Sequence, residues 1–186
     1  MTTVATTAYL IQKLRELLSQ PQGCNLTIKE LTAYSAMSRS TIYRNFPAGM
    51  QDLCLEMLRQ DLQRLLQQKL NSWPQLIDYS ISYIVHHRIC CLNVYQLLVN
   101  QKQQFYLLEM LKQFLLTYID KQDYGPYFKI FLNKYPYELD FMVAGILYNL
   151  MDWFDSQLQA KPEVIIKKLN CGLEMFLFHF NNDTMQ

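Results

Sequence analysis

From Ser38 to Asn45 the chain reads Ser-Arg-Ser-Thr-Ile-Tyr-Arg-Asn, which crowds two arginines, three aliphatic hydroxyls, a phenol and an amide into eight positions. Arginine and asparagine can make paired hydrogen bonds to base edges, and hydroxyls and arginines can hold phosphates. That chemistry needs a stiff element with one side anchored and the other free. Ile42 and Phe46, four apart, supply the anchor, which turns Arg39, Ser40, Thr41, Tyr43, Arg44 and Asn45 outward. Ser38 is a good N-cap for such a helix, because its hydroxyl can accept from a first-turn amide. Upstream, Thr27 and Glu30 have capping-box spacing, which predicts a second short helix with Ile28 and Leu31 inward. Thr27 joins the candidate contacts at that helix's start. Two short helices with a tight break between them read as a helix-turn-helix, a module that sets its second helix in a duplex groove.

The segment resembles the DNA-binding module of TetR-type transcriptional regulators. The resemblance rests on Thr27-Ile28-Lys29-Glu30-Leu31, on Ser38-Arg39-Ser40-Thr41-Ile42-Tyr43 and on Asn45-Phe46-Pro47. It implies a three-helix bundle completed by a preceding helix, which Thr7 to Ser19 supplies with Leu10, Ile11, Leu14, Leu17 and Leu18 at helical spacing. The chain departs from the family pattern at four places. The turn has Ala36 where a glycine is usual, and a left-handed turn costs alanine about 1 kcal/mol more than glycine. Thr32 replaces the usual small residue. After Phe46 comes Pro47-Ala48-Gly49-Met50, one residue longer than the common form and without its lysine.

Charge points the same way, weakly. Residues 1–70 hold eight Lys/Arg against five Asp/Glu, and the remainder nine against eleven, for an overall +1. No broad electrostatic footprint follows from that, so pattern carries the DNA reading. With 186 residues, 51% of them hydrophobic, the chain can bury a good core and make two units. No apolar run is long enough to span a membrane, and no charged leader followed by an apolar stretch opens the chain, so a cytoplasmic protein is expected. Five cysteines (24, 54, 90, 91 and 171) form an odd set without a CxxC pair, as expected of reduced thiols. His86–Cys90 and His87–Cys91 have i, i+4 spacing, but each pair offers only two ligands; packing is the simpler reading and no metal is expected. No Gly-rich phosphate loop, GxSxG elbow or HExxH motif appears, which argues against an enzyme, a catalytic site or a bound cofactor.

Beyond the module, Gln51 to about Asn71 reads as one linking helix. Further helices are expected at 75–100, 103–121, 126–134, 137–159 and 163–180, three of them starting near Pro126, Pro136 and Pro162. The fold class is therefore all-α with about nine helices: a DNA-binding domain over 1–50, a linking helix over 51–72, and a helical effector-binding and dimerisation domain over 73–186.

That last domain has two features of interest. Phe141 to Phe154 is apolar nearly all round, and the final helix has two apolar stripes, so one side of each can face the chain's own core and the other a second subunit. The resemblance implies pairing through the last two helices, with Ala144, Gly145, Tyr148, Leu169, Leu173 and Phe176 as the interface. It also implies an internal effector pocket, for which Tyr83, Arg88, Tyr95, Phe105, Tyr118 and Tyr148 are the candidates among many aromatics. Arg88 stands on a stripe with Ile81, Ile84, Leu92 and Tyr95, and a buried arginine needs an anionic partner, either Asp78, Asp140 or a ligand carboxylate. The expected function is a dimeric, ligand-responsive transcriptional regulator acting on a duplex operator, repression being the family's usual mode. The alternative is a TetR-shaped regulator acting mainly through a protein partner, its DNA contacts weakened.

Overall fold

The structure is a computed structural model that describes residues 3–100 and 103–184. The described residues form ten α-helices and no strand. The chain divides into two compact units: residues 1–62 with 87–104, and residues 63–86 with 105–186. This differs from a division at residues 50 and 72, because a later helix belongs to the first unit.

The first unit is built on α1 (Thr3–Leu18), α2 (Ile28–Ser35), α3 (Arg39–Asn45) and α4 (Met50–Leu65), whose last three residues pass into the second unit. Leu10, Leu14 and Leu18 of α1 are fully buried with Leu31, Ile42 and Leu53. Arg15 and Asp61 pair at 2.8 Å and tie α1 to α4. A short 3-10 turn at Gly23–Asn25 follows α1, and α6 (Arg88–Asn100) packs against both.

The second unit holds α5 (Trp73–His86), α7 (Gln104–Asp120), α8 (Gly125–Lys134), α9 (Glu138–Asp155) and α10 (Pro162–Thr184). Its core is aromatic: Phe128 and Phe131 are buried, and each packs on Phe176 and Phe180 with ring centroids 5.2–5.8 Å apart. The linking helix, expected to reach Asn71, stops at Leu65. The carbonyls beyond it find partners elsewhere, Leu66 accepting from Lys121 and Leu70 from the Tyr118 hydroxyl.

Two other boundaries differ from the sequence expectation. The single helix expected over 75–100 is two, α5 and α6, broken at His87, which makes ten helices rather than nine. Residues on either side of the break are buried in different units: Ile81 in the second, Cys90, Val94 and Leu98 in the first. The helix expected to run to 159 ends at Asp155. Gln157 and Leu158 take left-handed backbone conformations there, at φ 57° and 55°. That conformation is costly for side chains other than glycine. The burial of Leu158 and a hydrogen bond from the Trp153 indole to the Ala160 carbonyl hold the turn in place.

No helix among the described residues is long and apolar enough to cross a membrane. Nor do their His, Cys, Asp and Glu side chains gather in a group of three suited to a metal. His86 closes α5 while Cys90 lies in α6, so that pair shares no helix. Burial pushes the Cys54 and Cys91 thiols up to about 12 and raises Cys90 as well, which keeps these sulfurs protonated and unreactive. The side chain of Cys24 lies outside the described residues.

Candidate nucleic-acid interface

The local sequence builds α2 and α3 as the capping residues demand. At α2 the Thr27 hydroxyl accepts from the Glu30 amide at 3.3 Å, and the Glu30 carboxylate accepts from the Thr27 amide at 2.8 Å. The Thr27 hydroxyl also donates to the Glu30 carboxylate at 2.8 Å, and this bond together with that from the Thr27 amide holds the Glu30 carboxyl below the ordinary glutamate range. Ser38 caps α3, accepting from the Thr41 amide at 3.1 Å. Between the helices Ala36 sits at φ 55°, ψ 21°, so alanine does occupy the left-handed turn. Two bonds brace it: the Tyr9 hydroxyl donates to the Ser35 carbonyl, and the Met37 amide donates to the Ser35 hydroxyl.

Ile42 and Phe46 are buried and anchor α3 against the bundle. Arg39, Ser40, Tyr43 and Arg44 are exposed, and Thr41 is half-buried. The candidate side chains therefore share one accessible α3 surface, except for Asn45. Its amide is half-buried and donates to the Thr41 carbonyl at 2.7 Å, back into its own helix. The three small hydroxyls also bond among themselves, Ser38 lying 2.9 Å from both Ser40 and Thr41. Two exposed arginine forks and an exposed phenol thus remain the strongest groups for groove chemistry. Behind them, Gly49 turns the chain at φ 65°, and a Cβ there would come within 3.2 Å of the Tyr43 ring. The longer Pro47-Ala48-Gly49 connection is closed by the Ala48 amide donating at 2.7 Å to Asp52 in the first turn of α4.

A family model described as a transcriptional regulator C-terminal region, of TetR type, matches residues 71–171, more than half of the chain. The chain belongs to the TetR-type transcriptional regulators. Comparison with curated proteins and with solved structures returned no match. The matched stretch begins after α4, so the capped α2–α3 module is an independent line of argument for the same family.

In this TetR-type regulator the first unit has a feature that sequence reading missed. Asn93 of α6 is buried, and its side-chain amide donates to the Leu18 and Gln20 carbonyls, at 2.8 Å each. These carbonyls lie at the C-terminal end of α1, where the helix leaves acceptors unpaired. Gly23 allows the approach: a Cβ there would stand 2.7 Å from the Asn93 nitrogen. An amide in the apolar run Ile89 to Leu98 was the available signal, since a buried amide must find partners.

The candidate effector residues scatter. Arg88 is exposed at the start of α6, not on a buried stripe, because the break at His87 ends the helical register that put it there. Asp78 and Asp140 are exposed too, and Asp140 pairs with Lys112 at 2.5 Å. Tyr95 is buried in the first unit and Tyr83 half-buried in the second. Phe105 and Tyr148 are 72% and 71% exposed and point to solvent rather than into an interior. Tyr118 alone among these six is both buried and in the second unit, its ring 5.1 Å from that of Trp73.

The candidate interface residues separate by helix face. Ala144, Gly145 and Tyr148 are exposed on α9, whereas Leu169, Leu173 and Phe176 of α10 are buried in the unit's own core. The other stripe of α10 is the open one, with Met175 and Phe178 at 73% and 70% exposed, and Phe141 of α9 at 78%. A groove runs between the two helices with Gly145 and Gly172 in its walls, and a Cβ on either glycine would meet nothing within 4 Å.

Proposed function

We propose that this TetR-type regulator binds duplex DNA through α3 as a symmetric dimer, responds to a small effector, and acts as a repressor. The observation that carries the reading is the capped α3, anchored by Ile42 and Phe46, with Arg39, Ser40, Tyr43 and Arg44 on its accessible side. Thr27 and Ser38 sit at helix starts, where amides and hydroxyls suit phosphate, and Thr41 lies beside Ser38. Dimerisation is supported by the open apolar face of α9 and α10, since exposed aromatics gathered on one surface mark an interaction site. In the dimer Phe141, Ala144, Gly145 and Tyr148 meet Met175 and Phe178 across a two-fold axis, and two α3 helices address half-sites about 34–36 Å apart. The effector acts by binding the DNA-incompetent arrangement more tightly than the other.

The engagement of Asn45 within its own helix, and a connection after Phe46 that has no lysine, favour a second reading: a regulator that works through a protein partner and touches DNA weakly. Selection of bound fragments from genomic DNA separates the two. Recovery of a shared two-fold-symmetric sequence is expected, and recovery of unrelated fragments only would favour the partner.

A further inference from the structure

The turn ahead of α3 is held from α1. Ser35 is the last residue of α2 and is 2% exposed, and the end of a helix leaves its carbonyl without an intrahelical donor. The Tyr9 hydroxyl of α1 supplies one at 3.1 Å, from 26 residues away in the chain. That carbonyl belongs to the peptide plane just before Ala36. The plane just after Ala36 carries the Met37 amide, which donates to the Ser35 hydroxyl at 3.3 Å. Both planes that Ala36 joins are therefore fixed, and with them its left-handed φ of 55°. Alanine does not favour that conformation by itself, since its Cβ makes costly what glycine takes freely. The Met37 bond is internal to the turn and moves with it, whereas the Tyr9 bond ties the turn to another helix. A second tie, from the Tyr34 hydroxyl to Glu16 of α1 at 2.8 Å, is exposed, and water can take its place.

The turn acts on α3 as the base of a lever. α3 begins three residues after Ala36 and is seven residues long. Seven residues make about 10 Å of helix, so a rotation of about 10° at its start carries the far end roughly 2 Å. Hydrogen bonds to base edges hold only over about 2.7–3.2 Å, and a displacement of that size breaks them. Attraction to phosphate reaches farther and survives it. Ile42 and Phe46 seat one side of α3 on the core, and the turn sets the end at which the helix enters. We propose that Tyr9 is a positioning residue for duplex recognition: by holding the Ser35 carbonyl it keeps Ala36 in the left-handed turn, and so sets the angle at which α3 presents Arg39 and Arg44. Where the turn has no glycine to adopt that conformation freely, a hydroxyl from α1 supplies the hold. The inference rests on the reading of α3 as the duplex-binding helix.

The test compares the full chain with three variants: Tyr9→Phe, Ala36→Gly and the two together. Each is titrated with the selected genomic fragment and with a scrambled duplex at one salt concentration, below its own melting point by circular dichroism. Tyr9→Phe keeps the ring and removes only the oxygen. It should weaken binding of the selected fragment by about two- to tenfold, the worth of one hydrogen bond, and leave the scrambled duplex unchanged. Adding Ala36→Gly should restore most of that loss, because glycine takes the left-handed turn without being held there. A hydroxyl that served stability alone would show neither the loss of preference nor the rescue. Three results would overturn the inference: a Tyr9→Phe chain that binds the selected fragment as the parent does, one that loses affinity for both duplexes alike, or a loss that glycine does not restore. A parent that does not prefer the selected fragment to the scrambled one sinks the duplex reading itself, and the role of Tyr9 falls with it.

Discussion

Gly145→Leu gives opposite results for a lone chain and for a pair. In the lone chain the position is mid-helix in α9, and an added Cβ meets nothing within 4 Å. Replacing an interior helical glycine by leucine should then stabilise the fold by about 0.8 kcal/mol, the difference in helix propensity. In a pair joined through α9 and α10 the new side chain enters the contact. Overpacking a fitted contact costs about 1–3 kcal/mol, and two-fold symmetry applies it twice, about 2–6 kcal/mol for each dimer. At about 1.4 kcal/mol for each factor of ten, the dimer should weaken by at least about 30-fold. Sedimentation velocity over a concentration series measures that shift, and thermal melts at the dilute end measure the monomer. The expected outcome is a dissociation midpoint moved to higher concentration with a monomer melt unchanged or raised. A variant as dimeric as the parent, or a parent that stays monomeric at every concentration, would refute the interface.

Three further outcomes follow from the first unit. Asn93→Ala strips two carbonyls of their buried donor and should cost about 2 kcal/mol in denaturant unfolding; a loss below about 0.5 kcal/mol would remove the clamp from the account. Ala36→Gly relieves the left-handed alanine, worth about 1 kcal/mol, but loosens the unfolded chain, so a net gain of roughly 0.5 kcal/mol is expected from the same measurement. A depressed carboxyl stabilises the fold above its unfolded pKa and loses that contribution as pH falls through the folded value. Glu30 should therefore titrate by carbon NMR with a midpoint below the ordinary 4.5, the α2 cap should loosen only in acid, and Thr27→Ala should return the midpoint toward 4.5.

The parts of the fold legible in the sequence are those decided locally. Thr27 with Glu30, and Ser38 ahead of Ile42, announce their caps within a few residues, and the left-handed turn at Ala36 was expected from the family resemblance, which puts a glycine there. What could not be read was decided by distant packing. The break at His87 has no proline or glycine to mark it, and the apolar spacing from Ile81 to Tyr95 runs through it unbroken, so Arg88 was assigned to a stripe that does not exist. On α10 the two stripes are similarly apolar; only the completed core shows that Leu169, Leu173 and Phe176 face inward while Met175 and Phe178 face out.

The central claim is that the accessible side of α3 reads a duplex, and the most direct measurement is the affinity of Arg44→Ala for the selected fragment and for single-base variants of it. If Arg44 contacts a base, the substitution should cost about 1–3 kcal/mol and erase discrimination at one position of each half-site, leaving the other positions intact. A parent chain that binds no duplex above the non-specific level at low salt would contradict the account, as would an Arg44→Ala variant that binds every fragment as the parent does.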